Sequence, residues 1–471
     1  MKAKLQTAAD AAGIAALSQK SPGFLAASVM SGNGSVTAGV TDANNVFDAN
    51  MSGVTGYQNL VRSSTVTKTG IKLAASVTFT ADVPVTFLKV IGYQKLTVTG
   101  ISSSAATLPP YLDFYLMLDV SGSMGLPSTA AEQTRLSQVN PDNYRQYPTG
   151  CTFACHFAPQ NMACTNSGTQ AYPTNGACLG YAISRVSQSG YKGLLSNTTK
   201  NSTYPAGKKL SNSMVSGLPN SLYAALPPVT SCDTDGTNAC IQLRADAVGY
   251  AVTQLFITAN ASAKVANQFR IGLYPFIRYL YTYFPLTSSI NGSPTNSSTI
   301  NYAAANLATL LDTNMHTSLG SGGTHIDTAF SSMNTKITSV GDGSTSSNTQ
   351  PYVFLVTDGA QDNQVKGVPN GGWSGSNQAT VINPTTVCKP LKDRGIIVSV
   401  LYIPYEPIDP VNTSFAGNED TYANNNIPFI PPSLKGCASP GFFYTANTPS
   451  DITAALNAMF NHALRTAHIT Q

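Results

Sequence analysis

The chain is poor in charge. Lys, Arg, Asp and Glu make up 10% of its 471 residues, against about a quarter in an average soluble domain. The net charge of +4 is dispersed, with no dense Lys/Arg run. That excludes a nucleic-acid footprint or electrostatic capture by an acidic membrane surface. No apolar run is long enough to span a bilayer, and Met1-Lys2-Ala3-Lys4 lacks the apolar core of a signal peptide. Also missing are G-x-x-x-x-G-K-[ST] for nucleotide and H-E-x-x-H for zinc hydrolysis. Ser189-Gly190-Tyr191-Lys192 and Lys68-Thr69-Gly70 stand in the wrong order for a penicillin-binding enzyme, and the S-D-N between them is absent. Trp373 is the only tryptophan; in its Gly371-Gly372-Trp373 turn it is either a binding anchor or packed on its own loop.

Neutral polar and small residues fill the gap. With 42% hydrophobic residues the chain has enough apolar surface for a packed core, and its polarity comes from Ser, Thr, Asn and Gly, which suits an extracytoplasmic protein. The eight cysteines are Cys151, Cys155, Cys164, Cys178, Cys232, Cys240, Cys388 and Cys437. An even number, six of them in one polar region, points to disulfides in an oxidising compartment. Six cysteines allow 15 pairings, and sequence does not choose among them. Cys151-Thr152-Phe153-Ala154-Cys155-His156 has one residue too many for a c-type haem attachment, and zinc competes poorly with disulfides in that setting. An oxidised chain without an export signal is expected to be a fragment whose N-terminal targeting or anchor segment has been removed.

Along the chain, residues 4–19 place Leu5, Ala8, Ala9, Ala12, Ala16 and Leu17 on one narrow helical face, suited to close packing. A polar, Gly-rich stretch follows, and alternation over 71–101 predicts two or three strands. Residues 111–120 form a nearly continuous apolar run ending in Asp119, the pattern of a strand buried on both faces of a parallel sheet. Residues 127–240 are too long and polar for an ordinary loop and read as a disulfide-held insertion. Beyond it, helices are expected over 242–264, 301–311, 327–333, 390–394 and 451–463. Strands are expected over 269–277, 279–284, 352–357 and 395–403. Strands alternating with helices give an α/β fold with a mainly parallel sheet. The expected domains are 1–45 (helix and linker), 46–110 (β-rich), 111–126 with 241–471 (α/β), and 127–240 (Cys-rich insertion).

Three signals carry chemistry together: Asp119-Val120-Ser121-Gly122-Ser123 after one buried strand, Gly322-Gly323-Thr324 before a helix, and Thr357-Asp358-Gly359 after another buried strand. Ligands in an open α/β sheet sit outside the carboxyl ends of the strands, where both Asp residues fall. Carboxylate and hydroxyl oxygens suit a hard cation, Mg²⁺ first, with Mn²⁺ or Ca²⁺ as alternatives. Two carboxylates balance a divalent ion, and the neutral hydroxyls leave it electron-poor, ready for an incoming carboxylate. His325, beside Thr324, either tunes this site or is an ordinary packed histidine.

D-x-S-x-S, Thr and Asp in this order resemble the metal-ion-dependent adhesion site of von Willebrand factor A-type (vWA) domains. The resemblance implies that Ser121, Ser123 and Thr324 bind the ion directly, that Asp119 and Asp358 do so directly or through water, and that a partner's acidic group completes the shell. A wider resemblance, carried by KLQTAADAA, the β segment, LDVSGSMG, VTDGAQD and GCASPGFFYTANTPSDITAALNAMF, is to TadG-type proteins of bacterial Tad (Flp) pilus systems. In that family the first helix follows directly on an inner-membrane anchor. The resemblance implies a Cys388–Cys437 disulfide, pilin or other pilus subunits or a surface receptor as partners, and a periplasmic or cell-surface location. It implies cation-dependent adhesion or subunit docking with no catalytic residue; a purely structural pilus component, its fold stabilised by the metal, is the alternative.

Overall fold

The computed structural model describes residues 1–86, 90–126, 128–129, 242–312, 318–320, 322–363, 379–405, 407, 411 and 419–467. The expected insertion therefore lies outside the described residues except for Ser128 and Thr129, as do its six cysteines and Trp373.

The N-terminal part is a helix–sheet layer. Helix α1 (Lys2–Leu17) buries Leu5, Ala8, Ala9, Ala12, Ala16 and Leu17, the face that the sequence predicts. That face is covered within the chain, by α3 (Thr37–Met51), β3 (Lys72–Pro84) and β4 (Lys95–Thr107). The stretch read as a polar linker instead forms α2 (Pro22–Val29) and α3. Ser21 caps α2 through the Phe24 amide, with Pro22 in the first turn, where its missing N–H costs nothing. In α3 the buried residues are Gly39, Ala43, Phe47 and Met51. They recur every four residues, too sparsely to stand out among its Asn, Asp and Thr. Strands β1 (Gly34–Ser35), β2 (Gln58–Thr69), β3 and β4 form an antiparallel sheet in that order.

The second part is mixed α/β with a mainly parallel sheet. It contains β5 (Leu112–Asp119), β6 (Phe269–Phe276), β7 (Phe284–Thr287), β8 (Gln350–Thr357), β9 (Ile397–Tyr402) and β10 (Phe443–Thr445). Their order is β10-β9-β8-β5-β6-β7, and only β7 pairs antiparallel. Every residue of β5 is buried, as the unbroken apolar run requires. Phe114 fixes it, with its ring centroid 5.2 Å from those of Phe354 and Phe460, 5.5 Å from Tyr352 and 6.2 Å from Phe269; such offset aromatic contacts add to the stabilisation from burial alone.

Two expected elements differ. The Tyr281 and Tyr283 amides bond to the Pro275 and Leu273 carbonyls, but the strand expected over 279–284 starts only at Phe284, and its register shifts between the Leu273–Phe284 and Ile271–Thr287 pairs. The helix expected over 301–311 breaks at Asn306, whose side-chain amide donates to the Tyr302 carbonyl; an α-helix Ile300–Ala305 gives way there to a 3₁₀ turn Leu307–Leu310. Two helices over 419–437 have no counterpart among the expected elements. The second, Ile430–Cys437, has prolines in its first turn. Cys437 forms a disulfide with Cys388, as the resemblance implies.

The two parts meet at the N-terminal ends of the parallel strands. Tyr111, just before β5, donates its hydroxyl to the Ser28 carbonyl at 2.9 Å, and its amide bonds to the Gly343 carbonyl. The carboxyl ends of the strands face the opposite way.

Candidate metal centre

Strand order defines the crevice. The chain passes from β5 to β6 on one side and returns to place β8 on the other, so β5 and β8 flank a topological switch point, where open α/β sheets bind ligands. Leu118 lies beside Val356, so Asp119 and the Thr357–Asp358 pair leave adjacent parallel strands side by side. Both Asp119 and Asp358 are 0% exposed. A buried ionised carboxylate is costly unless paired or bound to a metal.

Hydrogen bonds set the loop. Asp119 Oδ1 accepts the Ser121 amide at 2.9 Å, and Oδ2 accepts the Thr357 hydroxyl at 2.6 Å. The Ser121 and Ser123 hydroxyls lie 3.3 Å apart. The Gly359 amide donates to Thr357 Oγ1. Neither oxygen of Asp358 receives a hydrogen bond of ordinary geometry, and Arg244 Nη1 stands 3.8 Å from its Oδ2. Thr324 is held nearby through the loop after β8, by two backbone hydrogen bonds with Asp362, at 2.8 and 3.0 Å. Asp312 ties the two loops: its amide donates to the Val120 carbonyl and its Oδ2 accepts the Gly322 amide at 2.7 Å.

The electrostatics follow from burial. Asp119 is pushed up to about 7, first by desolvation and then by the charge of Asp358; bonds from Ser121 and Thr357 oppose the shift. Burial also raises Asp358, against the pull of Arg244 and then the nearby Ser123 hydroxyl. His325 is lowered to about 4 by burial and by Arg278, and its Nε2 has no hydrogen-bond partner, so it sits neutral beside Thr324. A raised folded-state value for Asp119 means that the folded protein holds this proton more tightly than the unfolded chain. The resulting stability is complete below the ordinary carboxylate range and is lost as pH rises through about 7. Without divalent cation, the melting temperature is therefore expected to fall from about pH 4 to pH 8 more steeply than that of Asp119→Asn. Parallel melting curves for the two proteins would show that the carboxylates do not share this proton.

The residues fit a divalent cation: two buried carboxylates, neither oxygen of Asp358 in a hydrogen bond of ordinary geometry, with hydroxyls on the loop after β5. No cluster of three or more His, Cys, Asp or Glu occurs among the described residues. Of the residues that sequence reading names, Asp119, Ser121, Ser123 and Asp358 stand at the ends of β5 and β8, and Thr324 is tied to the loop after β8. Sequence reading misses Thr357 as the donor to Asp119, Asp312 as the tie between loops, and Arg244, whose partner is remote in sequence.

No family model and no curated protein matches the chain. Among solved structures, it is similar to the PilB minor pilin from Streptococcus sanguinis at 10% identity, with TM-score 0.33, covering 87% of this chain and 79% of that one. The vWF domain of the type V pili tip protein Mfa5 from Porphyromonas gingivalis matches at 12% identity and TM-score 0.27, over 48% of this chain and 88% of that one. Proximal thread matrix protein 1 from the mussel byssus matches at 16% identity and TM-score 0.28, over 47% of this chain; the match spans 43% of the mussel protein. At TM-scores this low the likenesses carry no argument, and the fold rests on strand order and the site on its own geometry.

Proposed function

We propose that this chain is a divalent-cation-dependent adhesion or docking protein, its second part a vWA-type domain in which Asp119, Ser121, Ser123, Thr324 and Asp358 hold Mg²⁺. The observation that supports this most is the pair of fully buried carboxylates at the switch point, with the Ser121 and Ser123 hydroxyls on the loop after β5. A bound divalent ion would supply a Lewis-acidic position for a partner's carboxylate. The chain's own residues orient that position: Thr357 and the Ser121 amide fix the Asp119 rotamer, and the neutral hydroxyls of Ser121 and Ser123 add donors without further charge. No catalytic step is assigned to the site. The setting, a Tad-type pilus at the periplasmic side or cell surface, with pilus subunits as partners, rests on the sequence resemblance alone.

Titrating Mg²⁺, Mn²⁺ and Ca²⁺ calorimetrically into chelator-treated protein is expected to show one saturable site per chain. Retention of an oligo-aspartate peptide that depends on Mg²⁺ would separate docking from a metal that only stabilises the fold. Absence of binding by all three cations would reject the site; binding without peptide capture would favour the structural role.

A further inference from the structure

Arg244 is buried beside Asp358 but belongs to neither strand. It opens the helix Arg244–Ser262 and its side chain is 6% exposed. Nη1 lies 3.8 Å from Asp358 Oδ2, and Nη2 donates to the Pro404 carbonyl at 3.1 Å. Its amide bonds to the Leu126 carbonyl, three residues beyond Ser123, so backbone and side chain both hold it against the metal face. At this burial it cannot reach out to a partner. It forms an ion pair with Asp358, which is itself fully buried.

We infer that Arg244 is a resident counter-cation of the Asp119–Asp358 pair, one that weakens divalent-ion binding and strengthens capture of a partner's anionic group. The inference rests on the cation-site reading above. Two ionised carboxylates buried together destabilise the fold unless countered. A guanidinium is permanently charged and suited to that place. Its charge offsets that of Asp358 when no divalent ion is present, and adds to the ion's charge when one is bound. The like-charge cost then falls on the ion and the opposite-charge gain on an incoming carboxylate. Arg244 thereby sets the cation concentration at which docking begins.

The test compares the parent with Arg244→Gln and the charge-conserving Arg244→Lys, using Mg²⁺ alone, an oligo-aspartate peptide in saturating Mg²⁺, and thermal melting in EDTA. Arg244→Gln is expected to bind Mg²⁺ about tenfold more tightly, to bind the peptide several-fold more weakly, and to melt roughly 5–10 °C lower in EDTA. Arg244→Lys should stay near the parent in Mg²⁺ affinity. If the parent binds Mg²⁺ and Arg244→Gln binds it no more tightly, the counter-cation role is overturned while the site stands. If the parent binds no cation, the site reading falls, and EDTA melting still decides Arg244. Lower stability of Arg244→Gln that is relieved in Arg244→Gln/Asp358→Asn supports the role, and unrelieved loss overturns it.

Discussion

Asp119→Ala is expected to lose Mg²⁺ affinity by more than about 100-fold, since removing even a group that merely supports a metal ligand costs 10–100-fold. The same substitution should change the melting temperature in EDTA little. Two effects oppose each other there. Removing a buried charge next to Asp358 is favourable, whereas the Ser121 amide and Thr357 hydroxyl lose their acceptor. Adding Mg²⁺ should stabilise the parent by mass action, by about 2.7 kcal/mol at a hundred times Kd, and leave the variant unmoved. Calorimetry with paired melts reads both. An Asp119→Ala protein that bound Mg²⁺ within tenfold of the parent would show that the donor set is wrong.

Gly359→Ala should have the largest effect on stability of any single methyl group added near the site. Gly359 follows Asp358 with φ +81°, a region that suits glycine. A Cβ there would lie 2.4 Å from Ile430 Cγ2 and 2.7 Å from Leu434 Cδ1. Those residues belong to the helix Ile430–Cys437, which the Cys388–Cys437 disulfide braces, so the helix cannot simply yield. Backbone strain and overpacking together are expected to cost about 2–5 kcal/mol and to displace the Asp358 loop, lowering Mg²⁺ affinity as well. Gly395→Ala is the control. Its φ is +87°, but its Cβ would meet only Val340 Cγ1, at 3.7 Å. It should cost about 1–2 kcal/mol and leave Mg²⁺ affinity unchanged. Equal denaturant midpoints and equal affinities for the two variants would remove the packing of this helix from the account of the site.

The legible parts of the molecule are those where local pattern and tertiary role coincide. An apolar run that ends in Asp is both a buried parallel strand and the start of a loop at its carboxyl end, so Asp119 and Asp358 stand out, and with them the sheet that carries them. The Ala face of α1 is legible because its period matches the helix. The less legible elements draw stability from partners distant in sequence. Helix α3 has poor intrinsic propensity and buries only one residue per turn against α1 and β2. The helix Ile430–Cys437 has two prolines in its first turn, which read locally as a loop although the first turn tolerates them. Arg244 looks like any helix-start residue; its meaning lies in Asp358, which no periodicity connects to it.

Strand β5 has a mechanical consequence. It begins one residue after the contact of Tyr111 with Ser28 and ends at Asp119, spanning roughly 26 Å. A tensile load between a docked partner and the N-terminal layer would run along this one strand. Its ladders to β6 and β8 lie on both sides and parallel to the pull. They would be loaded in shear, many bonds at once, rather than peeled apart one after another. The route that carries the load is then the most deeply embedded strand in the sheet, and the edge strands β7 and β10 are spared.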